Sequence, residues 1–118
     1  MTGSFMERRE HPRFLLCVEI EIVERESRIP SRGNTTDVGL GGCYVATIFP
    51  LPVGAKVDIQ MRIADGAIKG RGSVQTCHHG VGMGIKFNDL TLDALHRLGS
   101  YLQGATSISP RESPSVLY

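Results

Sequence analysis

The chain has 118 residues, 41% of them hydrophobic and 21% charged, which is the balance of one ordinary globular domain with a modest core. Its formal net charge is +1, so composition gives no bulk electrostatic case for a DNA, RNA or membrane-surface partner, and no apolar stretch is long enough for membrane insertion. The three cysteines, Cys17, Cys43 and Cys77, form no CxxC and leave an odd thiol, which argues against a disulfide framework; with no apolar run behind the N-terminal charges, a cytoplasmic protein is expected.

Residues 1–7 are expected to be flexible, and the domain is expected over residues 8–103. Arg8, Arg9 and Arg13 lie on a polar lead-in, extended because Pro12 disfavours helix at His11. From Phe14 the chain alternates: Phe14, Leu16, Val18, Ile20 and Ile22 are apolar at every second position, the period of a half-buried strand. Residues 24–36 carry charges, Pro30 and Gly33, and predict a hairpin turn with a weaker second strand ending near Thr36. Asp37 to Gly42 (DVGLGG) reads as a tight glycine-rich turn, and Cys43 to Phe49 as a third strand. Pro50, Pro52 and Gly54 then make a loop.

Lys56 to Ile63 is the clearest strand, with Val57, Ile59, Met61 and Ile63 on one face and Lys56, Asp58, Gln60 and Arg62 on the other. Asp65-Gly66 signals a hairpin. Ile68 to Cys77 predicts a fifth strand with bends or bulges at Gly70 and Gly72. After a turn at His78-His79-Gly80, Val81, Met83, Ile85 and Phe87 alternate in a sixth. The period then changes: Leu92, Leu95, Leu98 and Leu102 recur at helical spacing behind a cap at Thr91. Residues 104–118, rich in Ser and Pro, predict a disordered tail. Six short antiparallel strands and one terminal helix argue a small barrel or sandwich.

Two motifs stand apart from this pattern. Arg9 and Arg13 form an RxxxR with Arg8 beside it, and guanidinium groups bind phosphate and the O6/N7 edge of guanine in bidentate fashion. On the turn, the Asp37 carboxylate is an acceptor for the N1 and N2 donors of guanine, and the glycines let backbone N–H groups approach phosphate. Alone, the first reads as a solvated terminus and the second as a β-turn with an Asp starter.

Together, in this order and on this strand pattern, the two motifs resemble the PilZ domain, the bacterial receptor family for cyclic di-GMP. That family pairs RxxxR with D/N-x-S-x-x-G. Arg9 and Arg13 match the first, Asp37 and Gly42 the ends of the second, and the similarity runs from Arg8 to Leu102. The resemblance implies an all-β fold: a six-stranded antiparallel PilZ-type β-barrel with one C-terminal α-helix. It also implies cyclic di-GMP as ligand, held by Arg8, Arg9, Arg13 and Asp37 with Gly39 and Gly42 shaping the turn. It implies no enzymatic activity, no cofactor, and signalling through a protein partner in motility, adhesion or exopolysaccharide control. Gly39 departs from the motif, standing where the family has serine. A lost hydroxyl bond is worth roughly 0.5–1.5 kcal/mol, so roughly a tenfold weaker affinity is expected.

Other readings compete. A degenerate barrel acting as a ligand-independent protein-interaction module is favoured by Gly39 and opposed by Arg9, Arg13 and Asp37. A barrel binding single-stranded nucleic acid is opposed by 6% aromatic residues and no tryptophan. Cys77-His78-His79 reads as a solvated turn rather than a metal site. Gly80, Gly82 and Gly84 read as glycines that let a strand curve or pack under arginine side chains.

Overall fold

A computed structural model describes residues 12–64 and 66–104, and the backbone of 106–108. Its strands, in chain order, are β1 (Arg13–Leu15), β2 (Glu19–Glu24), β3 (Pro30–Gly39), β4 (Gly42–Ala46), β5 (Lys56–Ile63), β6 (Gly66–His78) and β7 (Gly82–Asp89). Helix α1 (Leu92–Leu102) and strand β8 (Thr106–Ile108) follow. The strands form one antiparallel sheet in the order β2-β5-β6-β7-β4-β3-β1-β8, and an additional β2–β3 pairing closes the first six into a barrel. Closure leaves those six strands no free edge. The expected all-β six-stranded barrel with one C-terminal helix is thus the observed fold.

Alternation sets which face each strand buries. On β5, Val57, Ile59, Met61 and Ile63 point into the core, and Lys56, Asp58, Gln60 and Arg62 point out. Ile20, Ile22, Val38, Cys43, Val45, Ile68, Val74, Met83 and Ile85 complete the barrel filling. Helix α1 begins where the Thr91 hydroxyl accepts from the Ala94 N–H at 3.0 Å. It buries Ala94, Leu98 and Leu102 against the barrel, while Arg97 Nη1 donates to the Ala67 carbonyl of β6 at 2.9 Å. Leu92, the first leucine of the helical repeat, is 86% exposed; Ala94 takes the inward position of the first turn.

Three segments differ from the sequence reading. The continuous strand expected from Phe14 to Ile22 is split, because the chain must leave the β1 line to reach β5. Leu16 to Val18 bridge the break, and Thr35 patches it: its Oγ1 donates to the Leu16 carbonyl at 2.6 Å and accepts from the Val18 N–H at 2.9 Å. β1 and β2 therefore share one edge of β3 in succession, Arg13 to Leu15 facing Gly39 to Asp37 and Glu19 to Val23 facing Asn34 to Pro30. Second, β3 continues to Gly39, with a register shift between Thr35 and Asp37, so Asp37 lies in a strand and the turn is confined to Leu40-Gly41. Third, Thr106–Ile108, placed by the sequence in a disordered tail, pair with β1 as β8. Residues 105 and 109–118 of that tail and residues 1–7 lie outside the described residues. The expected irregularity of the fifth strand is present: its register to β7 shifts at Arg71/Gly72, and again at Val74/Thr76.

Candidate functional site

The register brings the two motifs together. Arg13 faces Gly39 and Leu15 faces Asp37 across β1–β3, while Asp37 faces Tyr44 across β3–β4. Cross-strand partners project to the same side, and residues two apart share a face. Arg13, Asp37, Gly39, Gly42 and Tyr44 therefore occupy one outer face, beside the β3–β4 hairpin. Val38 and Cys43, between them, point inward and are wholly buried. Of the six residues singled out in the sequence, the structure gathers Arg13, Asp37, Gly39 and Gly42. Arg8 and Arg9 lie outside the described residues.

The gathered residues are packed, not merely adjacent. Arg13 Nη1 donates to Asp37 Oδ1 at 2.5 Å, with the two side chains 6% and 0% exposed. The other carboxylate oxygen, Oδ2, accepts from the Thr36 hydroxyl at 3.2 Å. Such a pair holds only where Coulomb attraction and hydrogen bonding together offset the desolvation of both charges. The glycines make room for it. A Cβ at residue 39 would stand 2.5 Å from the Pro12 carbonyl oxygen and 3.1 Å from Arg13 Cδ; one at residue 42 would stand 3.3 Å from Arg13 Nη2. The approaches that exclude a side chain are to backbone, the Pro12 carbonyl at residue 39 and the Ile85 carbonyl at residue 42, with the Arg13 side chain packed beside both glycines. The space left by the missing serine side chain is thus filled by the lead-in itself, Pro12 and Arg13.

Two neighbours of the pair escaped sequence reasoning. Tyr44 is 2% exposed although it sits on the outer face, and its hydroxyl is hydrogen-bonded to His78 Nδ1 at 2.8 Å. Burial, then Cys77, then Asp37 raise its pKa above the usual 10.0. His78 is accordingly a bracing partner at the end of β6, not part of a solvated turn, and of the two histidines only His79 is exposed. Gly82 packs under the Tyr44 ring, where a Cβ would come within 2.7 Å, so it shelters a tyrosine and not an arginine. The cross-strand adjacency of Asp37 and Tyr44 depends on the β3 register shift, which no sequence signal marked. Beneath the face, burial pushes the Cys43 thiol up to about 12, with Arg13 opposing and Asp37 reinforcing.

Elsewhere the outer surface carries solvated ion pairs. Glu19 meets Arg62 at 3.3 Å and Glu21 meets Arg32 at 3.7 Å around a cavity of about 220 Å³. Exposed pairs of this kind contribute little to stability. Among the described residues, no group of three His, Cys, Asp or Glu side chains is placed to hold a metal ion, and no helix is long and apolar enough to cross a membrane.

Solved structures share this architecture. The Bacillus subtilis inhibitor of motility MotI/DgrA superposes with a TM-score of 0.71 at 15% identity, over 83% of this chain and 51% of that one. The PilZ domain of YcgR from Escherichia coli, solved with c-di-GMP, gives 0.68 at 14% identity over 83% and 94%. The K. pneumonia MrkH–c-di-GMP complex gives 0.69 at 20% identity over 83% and 51%. The chain thus spans about half the length of MotI/DgrA and MrkH. At these identities the likeness establishes the fold alone. No curated protein matches the sequence. The sequence matches the PilZ domain over residues 7–104, most of its length, and the chain belongs to the PilZ domain family.

Proposed function

We propose that this PilZ domain is a non-enzymatic receptor for cyclic di-GMP that passes ligand binding to a partner through a change of conformation. The observation that carries the reading is the meeting of Arg13, Asp37, Gly39 and Gly42 on one face of the barrel, from two segments that are 24 residues apart at Arg13 and Asp37. Their chemistry fits a guanine dinucleotide. Guanidinium forks take phosphate oxygens and the O6/N7 edge of guanine, and a carboxylate accepts from its N1 and N2 donors. Arg8 and Arg9, five and four residues before Arg13 in sequence, supply further cations for the two phosphates. Nothing in this scheme makes or breaks a covalent bond.

The partner class follows less directly. The neighbours include an inhibitor of motility and a c-di-GMP-dependent transcription regulatory factor, so more than one output occurs on this fold. A net charge of +1 favours a protein partner here, in motility, adhesion or exopolysaccharide control. The reading is tested by Arg9→Ala. Loss of the Arg9 guanidinium is expected to weaken cyclic di-GMP binding at least tenfold. Unchanged affinity would remove Arg9 from the site.

One observation favours a second reading, a ligand-independent interaction module: Arg13 and Asp37 already satisfy one another in a buried pair. A pull-down recovering the same partner, equally with and without cyclic di-GMP, is the result that would select it.

A further inference from the structure

We infer that the Arg13–Asp37 pair is an internal latch that occupies the ligand site, and that Gly39 is the residue that lets it close. The inference rests on the receptor reading given above and adds to it how the site is regulated. Asp37 is wholly shielded from solvent, with Oδ1 taken by Arg13 and Oδ2 by the Thr36 hydroxyl. No guanine edge reaches that carboxylate until Arg13 lifts away. Arg13, at 6% exposure, is equally withheld from phosphate. The two residues best suited to hold the ligand are therefore the two that hold each other.

Gly39 is what makes this closed arrangement possible. Its missing side chain leaves the place into which the Pro12 carbonyl and the Arg13 stem descend, at 2.5 and 3.1 Å from where a Cβ would be. A side chain at residue 39 must push one strand away. The short β1, three residues long, is the element that yields, because β3 is held on its other edge by β4. Gly39 thus acts on affinity through Arg13, and the departure from the family serine is more than a lost hydroxyl. A ligand that binds only the open form has its apparent affinity reduced by the fraction of open protein. Opening a buried pair is unfavourable enough to hold that fraction low.

The latch and the lost hydroxyl predict different things of Gly39→Ala, which restores a Cβ but no hydroxyl. The experiment follows the arginine side-chain N–H signals of the full chain by NMR and measures cyclic di-GMP affinity by calorimetry, for the native chain, Gly39→Ala and Gly39→Ser. The latch predicts that the Arg13 signal of the native chain is protected from solvent exchange without ligand and leaves its Asp37-paired position at saturation. It predicts that both variants lose that protection without ligand and bind roughly tenfold tighter than the native chain, alanine included. Tightening by Gly39→Ser alone would overturn it in favour of the hydroxyl. An Arg13 signal that stays Asp37-paired in the saturated native complex would overturn it as well, and that arm decides even where a variant fails to fold. Absence of any binding by all three chains would instead sink the receptor reading, and the ligand-linked latch with it.

Discussion

β5 and β3 flank the same strand, β2, and they are built by opposite rules. β5 alternates without interruption from Lys56 to Ile63 and pairs in unbroken register with β2 and β6. β3 pairs with three strands, changes register between Thr35 and Asp37, and buries the polar side chains of Thr35 and Asp37. The regular strand holds the barrel together through apolar area. The irregular one carries polar groups that must each be satisfied, because a buried group left unpaired costs far more than its bond contributes. The candidate site lies on the strand that departs from pattern, as expected where local regularity gives way to function.

Substitutions can break this contrast, and the largest effect is expected at Arg13. Arg13→Ala removes the guanidinium from the buried Asp37 carboxylate and is expected to cost about 3–5 kcal/mol in urea unfolding, besides removing cyclic di-GMP binding. Replacing both members by leucine is expected to recover most of that stability but none of the binding. A small loss for the single variant would show that the pair is not buried in solution. On β5, by contrast, only size and face should matter. Met61→Ala, at a position 1% exposed, is expected to cost about 2–5 kcal/mol. Its outward neighbour Gln60→Ala is expected to stay within about 0.5 kcal/mol of the native chain.

How much of this was legible follows the same division. The strand faces of Val57 to Ile63 and the inward residues Met83, Ile85 and Phe87 of β7 were readable because large apolar side chains recur at every second residue. The helix was readable from its leucines, though Leu92 turns outward because Ala94, not Leu92, faces the barrel. Arg13, Asp37, Gly39 and Gly42 were readable as motif positions. Their arrangement was not. Asp37 lies in a strand and not a turn, because β3 runs on to pair with β1, and Tyr44 comes to face it only through the register shift. The break at Leu16 to Val18 was hidden because its side chains keep the alternation while the backbone changes partners. Strand β8 was hidden because Thr106 to Ile108 add to an edge set by tertiary structure, within a polar stretch of sequence.

Thr35 sharpens the contrast at smaller scale. Thr35→Val keeps the shape but leaves the Leu16 carbonyl and the Val18 N–H without their partner, and a loss of about 2 kcal/mol is expected. A neutral result would mean that the break between β1 and β2 needs no side-chain brace. The last effect is one of pH. The Cys43 thiol is raised from 9.0 to about 12, so the folded chain keeps a proton that the unfolded chain releases first. Stability from this group is therefore constant below pH 9 and falls as the pH climbs from about 9 toward 12, at about 1.4 kcal/mol per pH unit. Cys43→Ala is expected to flatten that decline, and an equally steep decline would assign it to other groups. Exposed Cys17 should label with a thiol reagent in the native state while Cys43 stays protected.

The central claim is that the face holding Arg13 and Asp37 receives a guanine dinucleotide. The most direct test is calorimetric titration of cyclic di-GMP into the full chain, with cyclic di-AMP as the control that keeps both phosphates and changes only the base edges. Micromolar or tighter binding of cyclic di-GMP, with cyclic di-AMP at least tenfold weaker, is the predicted result. No heat of binding, or equal affinity for the two, would contradict a site that reads guanine.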